Sequence, residues 1–596
     1  MSHERGRVGL RGQQRIPSER SDISHGILHC NDIIVGTEFL HLYDPSTLHR
    51  PVVGDMAGNA RKIIDAAQQA YAQGARVLVT PELAICGYAA EDLLLRPAFI
   101  DACDDALKTV ARELAGLKGM HVVLGHPEGG GIQSKSVAIT KRFNRATVLC
   151  EGRVLASYAK QELPNYQVFD ERRYFTPGHE ACVFEVDGVK LGLLICEDAW
   201  FEEPAQKLRD AGAQVLLVLN ASPFHVGKGL EREVQMARRV TTCQLPLVYA
   251  HIVGGQDEVI FEGRSFAMNA QAEVVARAPA FKECLQFVDV LSTKGSAAIQ
   301  LAGREVVPES SWEEDLWHAL VLGIRDYLGK NGFPGAILGL SGGIDSALVL
   351  ALAVDAIGAD KIHAVMMPSP YTADISWIDA RDMVKRLNVQ YDEISIAPLF
   401  EGFKTALADQ FKGLAEDTTE ENIQARVRGT LLMAMSNKTG AIVLTTGNKS
   451  EMATGYCTLY GDMAGGFAVI KDVVKTQVFR LAEWRNQNDP YGTGSCPIPE
   501  RIITRPPSAE LRADQKDQDS LPPYEVLDAI VQRYMENDEG ISALEADGFE
   551  RADVEKVTRL IKLNEYKRRQ SPVGIRVTHR SFGKDWRYPI TNRFRA

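Results

Sequence analysis

Three short stretches of this chain put reactive side chains where apolar runs end. VLVTPELAICGY carries Glu82, ASYAKQELPNYQVFDERRYF carries Lys160 and GLLICEDAW carries Cys196. A carboxylate, an ammonium and a thiol together can run nucleophilic acyl chemistry. The carboxylate takes the thiol proton, the sulfur attacks a carbonyl carbon, and the ammonium holds the charge that develops on oxygen. Cys196 closes an apolar run and precedes Glu-Asp and a helix, so helix amides there are expected to favour the thiolate.

A second chemistry is written at 335–346, GAILGLSGGIDS. Ala336 to Leu340 reads as a buried strand, Ser341-Gly342-Gly343 as a tight turn, and Ile344 to Ile357 as a helix. The first helical amides point outward, and the glycines let a phosphate approach the backbone. The lysine of the common nucleotide-binding loop is missing and Asp345 stands in the turn. An acid beside phosphates calls for a Mg²⁺ between them.

The elements that must carry these residues alternate. Helices are expected near 59–73, 97–116, 203–211 and 229–242, with strands at 76–82, 121–127, 190–198, 214–222 and 245–253. Residues 291–311 are small and polar and read as a linker. A helix at 312–330 then opens a second α/β unit with strands at 336–340, 362–367 and 441–446. Uniform alternation predicts a parallel, doubly wound sheet with ligands at the carboxyl ends of its strands. Residues 505–523 read as a surface loop. The expected division is 1–50 as an atypical, unassigned extension, 51–290 as the first domain, 291–311 as the linker and 312–596 as the second domain.

Bulk properties narrow the class. With 596 residues the chain exceeds one core. A net charge of −11 argues against a general nucleic-acid or membrane-surface binder. No apolar run has the length of a membrane span. The ten cysteines are scattered without a C-x-x-C pair, which suits reduced thiols in a cytoplasm. The Arg- and Ser-containing start has no signal-peptide apolar run.

Glu82, Lys160 and Cys196 in their three motifs resemble the triad of the nitrilase superfamily, which implies an αββα sandwich. KQELPNYQVFDERRYF and LNASPFHVGK are similar to the glutaminase domain of the glutamine-dependent NAD⁺ synthetase family. In that resemblance Tyr166, Ser222 and Lys228 hold the glutamine. The string at Ser341 resembles the loop of ATP pyrophosphatases. ENIQARVRG, LTTGNKSEMATGYCTLYGD and NEYKRRQSPVGIRVT extend the NAD⁺ synthetase likeness over most of 52–596. It implies that Gly339, Leu340, Ser341, Gly342, Gly343, Ile344, Asp345 and Ser346 cradle ATP, with Thr446 touching it. Asp345 and Glu451 would ligate Mg²⁺, and Asn422, Arg426, Glu451 and Lys567 would contact deamido-NAD⁺. Asp472 and Lys475 are weaker candidates for the ATP or product side.

The implied reaction adenylates deamido-NAD⁺ with ATP and amidates it with ammonia from glutamine, passed between two sites. The resemblance also implies a homo-oligomer formed through the second domain. Two features depart from the family. Residues 38–52, EFLHLYDPSTLHRPV, do not look like its opening strand, and Ile33 to Leu40 would be a substitute strand whose register to the turn is too long. Pro370 stands where a basic residue is common. An amidotransferase of the same architecture that adenylates another acceptor remains the alternative.

Overall fold

The structure, a computed structural model, describes residues 27–36, 52–129, 141–293, 298–507, 510–512 and 521–593. Its first domain stacks two sheets. One runs in the order Ile299–Gly303, Leu285–Thr293, Ile27–Gly36, Val77–Val79, His121–Gly129, Arg142–Cys150, Arg153–Ala159. The other runs Val274–Arg277, Phe266–Met268, Leu247–His251, Val215–Asn220, Val189–Ile195, Val183–Val186.

Alternation decides the layers, because successive strand side chains face opposite ways. Val77, Val79 and Val123 pack between the sheets against Leu191, Leu193 and Leu217. Leu78 and Val122 face outward onto Ile63 and Ile100 of the helices Met56–Ala72 and Pro97–Leu114. Leu194 and Leu216 face outward onto Leu208 and Met236 of the helices Glu202–Asp210 and Lys228–Cys243. The result is the expected αββα sandwich.

Two expectations fail in this domain. The strand Ile27–Gly36 lies inside the first sheet, antiparallel to Leu285–Thr293 and parallel to Val77–Val79. Ile33–Gly36 of the suggested substitute belongs to this strand, which starts earlier, at Ile27, while residues 38–51 lie outside the described residues. The expected linker 291–311 also contains sheet. Leu285–Thr293 pairs antiparallel with Ile299–Gly303 at the sheet edge. Short polar edge strands look like linkers in sequence because only one face needs apolar residues.

The second domain has a five-stranded parallel sheet, in the order Gln390–Glu393, Ile362–Met366, Ala336–Gly339, Ile442–Thr445, Phe467–Ala468. Ala336 and Leu338 pack on one face with the helices Trp312–Asn331 and Ile344–Ile357. Ile337, Val365 and Val443 pack on the other with Phe400, Ile423 and Val427. Both faces are covered, as a doubly wound sheet requires. A helical cap built on Leu527, Ile530, Val554 and Ile561 completes the domain.

The two domains share one core. Phe224, Val253, Ile260 and Phe281 of the first pack directly with Leu316, Leu320, Ile324 and Ile575 of the second. Asp326 accepts from the Gly255 amide at 2.7 Å, and Lys330 donates to the Gly255 carbonyl at 2.7 Å. Among the described residues no helix is long and apolar enough to cross a membrane.

Candidate active sites

Glu82, Lys160 and Cys196 converge between the sheets, each at most 2 % exposed. Glu82 follows the strand Val77–Val79, and its loop presses against Gly125. A Cβ at Gly125 would lie 2.5 Å from the Pro81 carbonyl, so only glycine fits there. Glu82 Oε1 accepts from Lys160 Nζ at 2.8 Å and from Asn144 at 2.7 Å. Its Oε2 accepts from the Ala221 amide at 3.1 Å. Cys196 has φ 49° and opens a single 3₁₀ turn, Cys196–Trp200, directly after the strand Val189–Ile195. Asp198 fixes this elbow. It accepts from the Ile195 amide and from Tyr158 on one oxygen, and from the Gln161 and Glu162 amides on the other.

Lys160 also donates to Glu171 at 2.8 Å, and Tyr88 donates to the same oxygen. One ammonium therefore faces two buried carboxylates. Burial alone would push Lys160 down, but Glu171 and Glu82 outweigh it and raise it well above its ordinary value. Glu171 is left short of positive charge, and burial raises it to about 7. The expectation of a thiolate at Cys196 does not hold. Burial and then Glu82 raise the thiol well above its ordinary value, and Lys160 offsets only part of that. The site holds a thiol beside a carboxylate placed to remove its proton.

Tyr166, Ser222 and Lys228 surround the same elbow. Tyr166 is half exposed and donates to Glu197 at 2.8 Å. Ser222 is buried and accepts from Asn220 at 3.0 Å. Lys228 pairs with Glu231 and lies 4.4 Å over the Trp200 ring, its pKa lowered by burial.

In the second domain a cleft of about 280 Å³ opens at the carboxyl ends of the strands. Gly339, Leu340, Ser341, Gly343, Ile344, Asp345, Ser346, Thr446 and Glu451 line it. Gly342 does not. Its φ is 79°, a Cβ there would strike the Ser376 carbonyl at 2.5 Å, and its own carbonyl accepts from Arg505. Asp345 accepts from Asn448 at 2.9 Å and pairs with Lys475, which also lies 3.5 Å from Glu451.

Asn422, Arg426 and Lys567 do not line this cleft. They bracket the segment beside it. Asn422 accepts from Thr458, Arg426 donates to the Leu459 carbonyl, and Lys567 donates to the Gly455 and Cys457 carbonyls at 2.8 Å. Asp472 is buried away from the cleft, where it accepts from the Val577 and Thr578 amides and pairs with Lys449.

Residues 46–299 match the carbon-nitrogen hydrolase family model and residues 316–571 the NAD synthase model. The glutamine-dependent NAD(+) synthetase of Acinetobacter baylyi is 47% identical over 548 residues, covering 91% of this chain and 97% of that protein. The chain belongs to the glutamine-dependent NAD⁺ synthetase family. The namesake from Thermotoga maritima is 42% identical over 575 residues. The solved structure from Acinetobacter baumannii, in complex with ADP, is 43% identical, with a TM-score of 0.72 over 94% of this chain and 98% of that one. A structure from Cytophaga hutchinsonii, 22% identical with a TM-score of 0.76, shares the fold.

Against this NAD⁺ synthetase background, sequence reasoning missed three groups. Glu171 lay inside a quoted motif, FDERRYF, but nothing local distinguished it from a surface acid. Asp198 looked like part of the elbow rather than its brace. Arg428, two residues from Arg426, lines the cleft where Arg426 does not, donating to the Met367 carbonyl, with burial lowering it to about 10. Helical phase could have separated the two arginines, since Ala425, Arg428 and Gly429 share the cleft-facing stripe.

Proposed function

We propose that this chain makes NAD⁺ from deamido-NAD⁺, ATP and glutamine, using two sites with the residue roles that follow. The observation that carries the reading is a buried thiol–carboxylate–ammonium cluster and a phosphate-loop cleft on domains that share one core.

At the first site Glu82 accepts the Cys196 proton as sulfur bonds to the glutamine carboxamide carbon. Lys160 donates to the oxyanion. The proton passes to the departing nitrogen, the C–N bond breaks, and ammonia leaves a thioester. Glu82 then takes a proton from water, which attacks the thioester, and the thiol and glutamate are released. Lys228 and the Ser222 hydroxyl suit the substrate carboxylate. Glu197, positioned by Tyr166, suits its ammonium.

At the second site the amides of Ser341 to Ser346 and the start of the helix suit the ATP phosphates. The nicotinate carboxylate attacks the α-phosphorus, pyrophosphate leaves, and ammonia then displaces AMP to form the carboxamide. Asp345 and Glu451 would hold Mg²⁺, which supplies charge neutralisation for the departing pyrophosphate. The donor set supports this, because the two carboxylates already gather around one cation, the Lys475 ammonium. Asn422, Arg426 and Lys567 order the Gly455–Tyr460 segment, through which they would face the dinucleotide.

A small pocket lined by Tyr88 and Glu171 from the first domain and Lys584 from the second supports passage of ammonia between the sites. The nine cysteines whose side chains are described form no disulfide with one another, which supports a cytoplasmic setting. Self-association through the second domain rests on the family likeness, and light scattering of the purified protein tests it.

The deciding experiment varies the nitrogen source. Cys196→Ala is expected to lose glutamine-driven NAD⁺ synthesis and keep ammonia-driven synthesis. Asp345→Ala is expected to lose both while still hydrolysing glutamine slowly. A folded Cys196→Ala protein that fails with ammonia would contradict the two-site reading, and wild-type protein that leaves deamido-NAD⁺ unchanged would end it.

A further inference from the structure

Beneath the glutamine-side residues runs a chain of buried polar groups that this mechanism does not use. Arg232, on the helix Lys228–Cys243, lies 2.8 Å from Glu262. The other Glu262 oxygen faces His251 Nε2 at 3.4 Å. His251 Nδ1 faces the Asn220 side-chain nitrogen at 2.9 Å, and that nitrogen also reaches Ser222 Oγ at 3.0 Å. None of Arg232, Glu262, His251 and Asn220 is more than 2 % exposed.

The order of donors along this chain is fixed from its buried end. Although burial opposes it, Arg232 and His251 lower Glu262, so it is an ionised, acceptor-only carboxylate. Burial and Arg232 lower His251, so its ring is neutral. A neutral ring beside a carboxylate must place its one hydrogen on Nε2, although the Asn220 carbonyl also lies 3.3 Å from Nδ1. Nδ1 is then a lone pair, and Asn220 must present its NH₂ to it. The amide oxygen of Asn220 has no protein partner to hold it otherwise. The second amide hydrogen goes to Ser222 Oγ. A hydroxyl that already accepts there is free to turn its own hydrogen into the pocket.

We propose that Asn220 is a specificity-determining positioning residue: held by His251, Glu262 and Arg232, it fixes Ser222 as a donor toward the substrate carboxylate. The pocket thereby selects amides that carry an anionic group over simple neutral amides. The inference rests on the glutamine-hydrolysing reading of the first site. The same turn also serves catalysis, since the Ala221 amide between these two residues donates to Glu82.

The test uses the full chain. Asn220→Asp replaces two donors with acceptors, so Ser222 turns its hydrogen back toward residue 220. The KM for glutamine is expected to rise about tenfold or more, the loss of one hydrogen bond to a charged group. Ammonia-driven synthesis is expected to stay within about twofold. In a Ser222→Ala background the same change is expected to add less than about twofold, because Asn220 acts through Ser222.

An unchanged glutamine KM, or the full cost persisting in the Ser222→Ala background, overturns the proposal. If Asn220→Asp does not fold, the cycle is run with Asn220→Ala, where additivity with Ser222→Ala overturns it equally. Wild-type protein that uses ammonia but releases no glutamate from glutamine would overturn the underlying reading. Normal wild-type hydrolysis with indifferent variants would overturn this relay alone.

Discussion

Replacing Glu171 with glutamine separates stability from catalysis. Lys160 sits 2.8 Å from both Glu82 and Glu171. At an effective dielectric constant of about 20, each contact is worth about 6 kcal/mol of Coulomb attraction. One ammonium cannot neutralise two buried carboxylates, and burial raises Glu171 to about 7 from 4.5. A shift of that size means that the charged form at 171 costs the folded state roughly 3 kcal/mol above neutral pH. Glu171→Gln keeps the shape and an acceptor for Lys160 while removing this cost. The variant is expected to melt at the same temperature as the wild type at pH 8, or a few degrees higher. Glutamine hydrolysis is expected to slow by roughly tenfold to a hundredfold, because the undivided ammonium now pairs with Glu82 and lowers its basicity. Ammonia-driven synthesis is the internal control. Calorimetry and coupled NAD⁺ assays with each nitrogen source read both halves. A Tm lowered by more than about 5 °C, or an unchanged glutaminase rate, would refute the argument that the cluster carries one negative charge too many.

Three further outcomes are expected. Lys475→Met removes the ammonium that pairs with both Asp345 and Glu451, and NAD⁺ synthesis from either nitrogen source should fall about a hundredfold or more while glutamine hydrolysis continues. Asp355→Ala leaves the buried Arg485, which donates to Asp355 at 2.8 and 3.0 Å, with the more distant Asp489 at 3.4 Å as its counter-charge, and should cost about 3 kcal/mol in denaturant unfolding. His126 is buried, and desolvation lowers it to about 4 from 6.5. Its neutral form stabilises the fold fully above pH 6.5, and this contribution of about 3 kcal/mol is lost as pH falls from 6.5 toward 4. The difference in urea midpoint between wild type and His126→Gln should shift in the variant's favour across that window, and a difference that stays constant would refute it.

Much of the fold was legible because it is locally written. The runs at 191–195 and 215–219 hold no polar side chain, and the Ser341 turn announces a strand, a tight corner and a helix. The meeting of Glu82, Lys160 and Cys196 was legible because each closely follows a strand. Roles set by distant partners were not. Glu171 differs from a surface acid only through Lys160 and Tyr88. Lys475 gains its place from Asp345, 130 residues earlier. Asp472 read as an ATP-side acid but is spent on the Val577 and Thr578 amides. The Ile27–Gly36 strand was only partly read, through Ile33, and the Ile299–Gly303 strand escaped notice, because their pairing belongs to the sheet and not to their own composition.

The apolar core common to both domains sets an order of events during synthesis. Val253, Ile260 and Phe281 leave the ribosome before their partners Leu316, Leu320 and Ile324 exist. At about 5–20 residues per second, the wait for that helix lasts several seconds. Ile575 arrives some 250 residues later still, with the arginine at 576 that closes over the Phe224 carbonyl. The nascent first half therefore carries an uncovered greasy face until that helix emerges, and a ribosome stalled near residue 300 would hold a chain suited to chaperone capture.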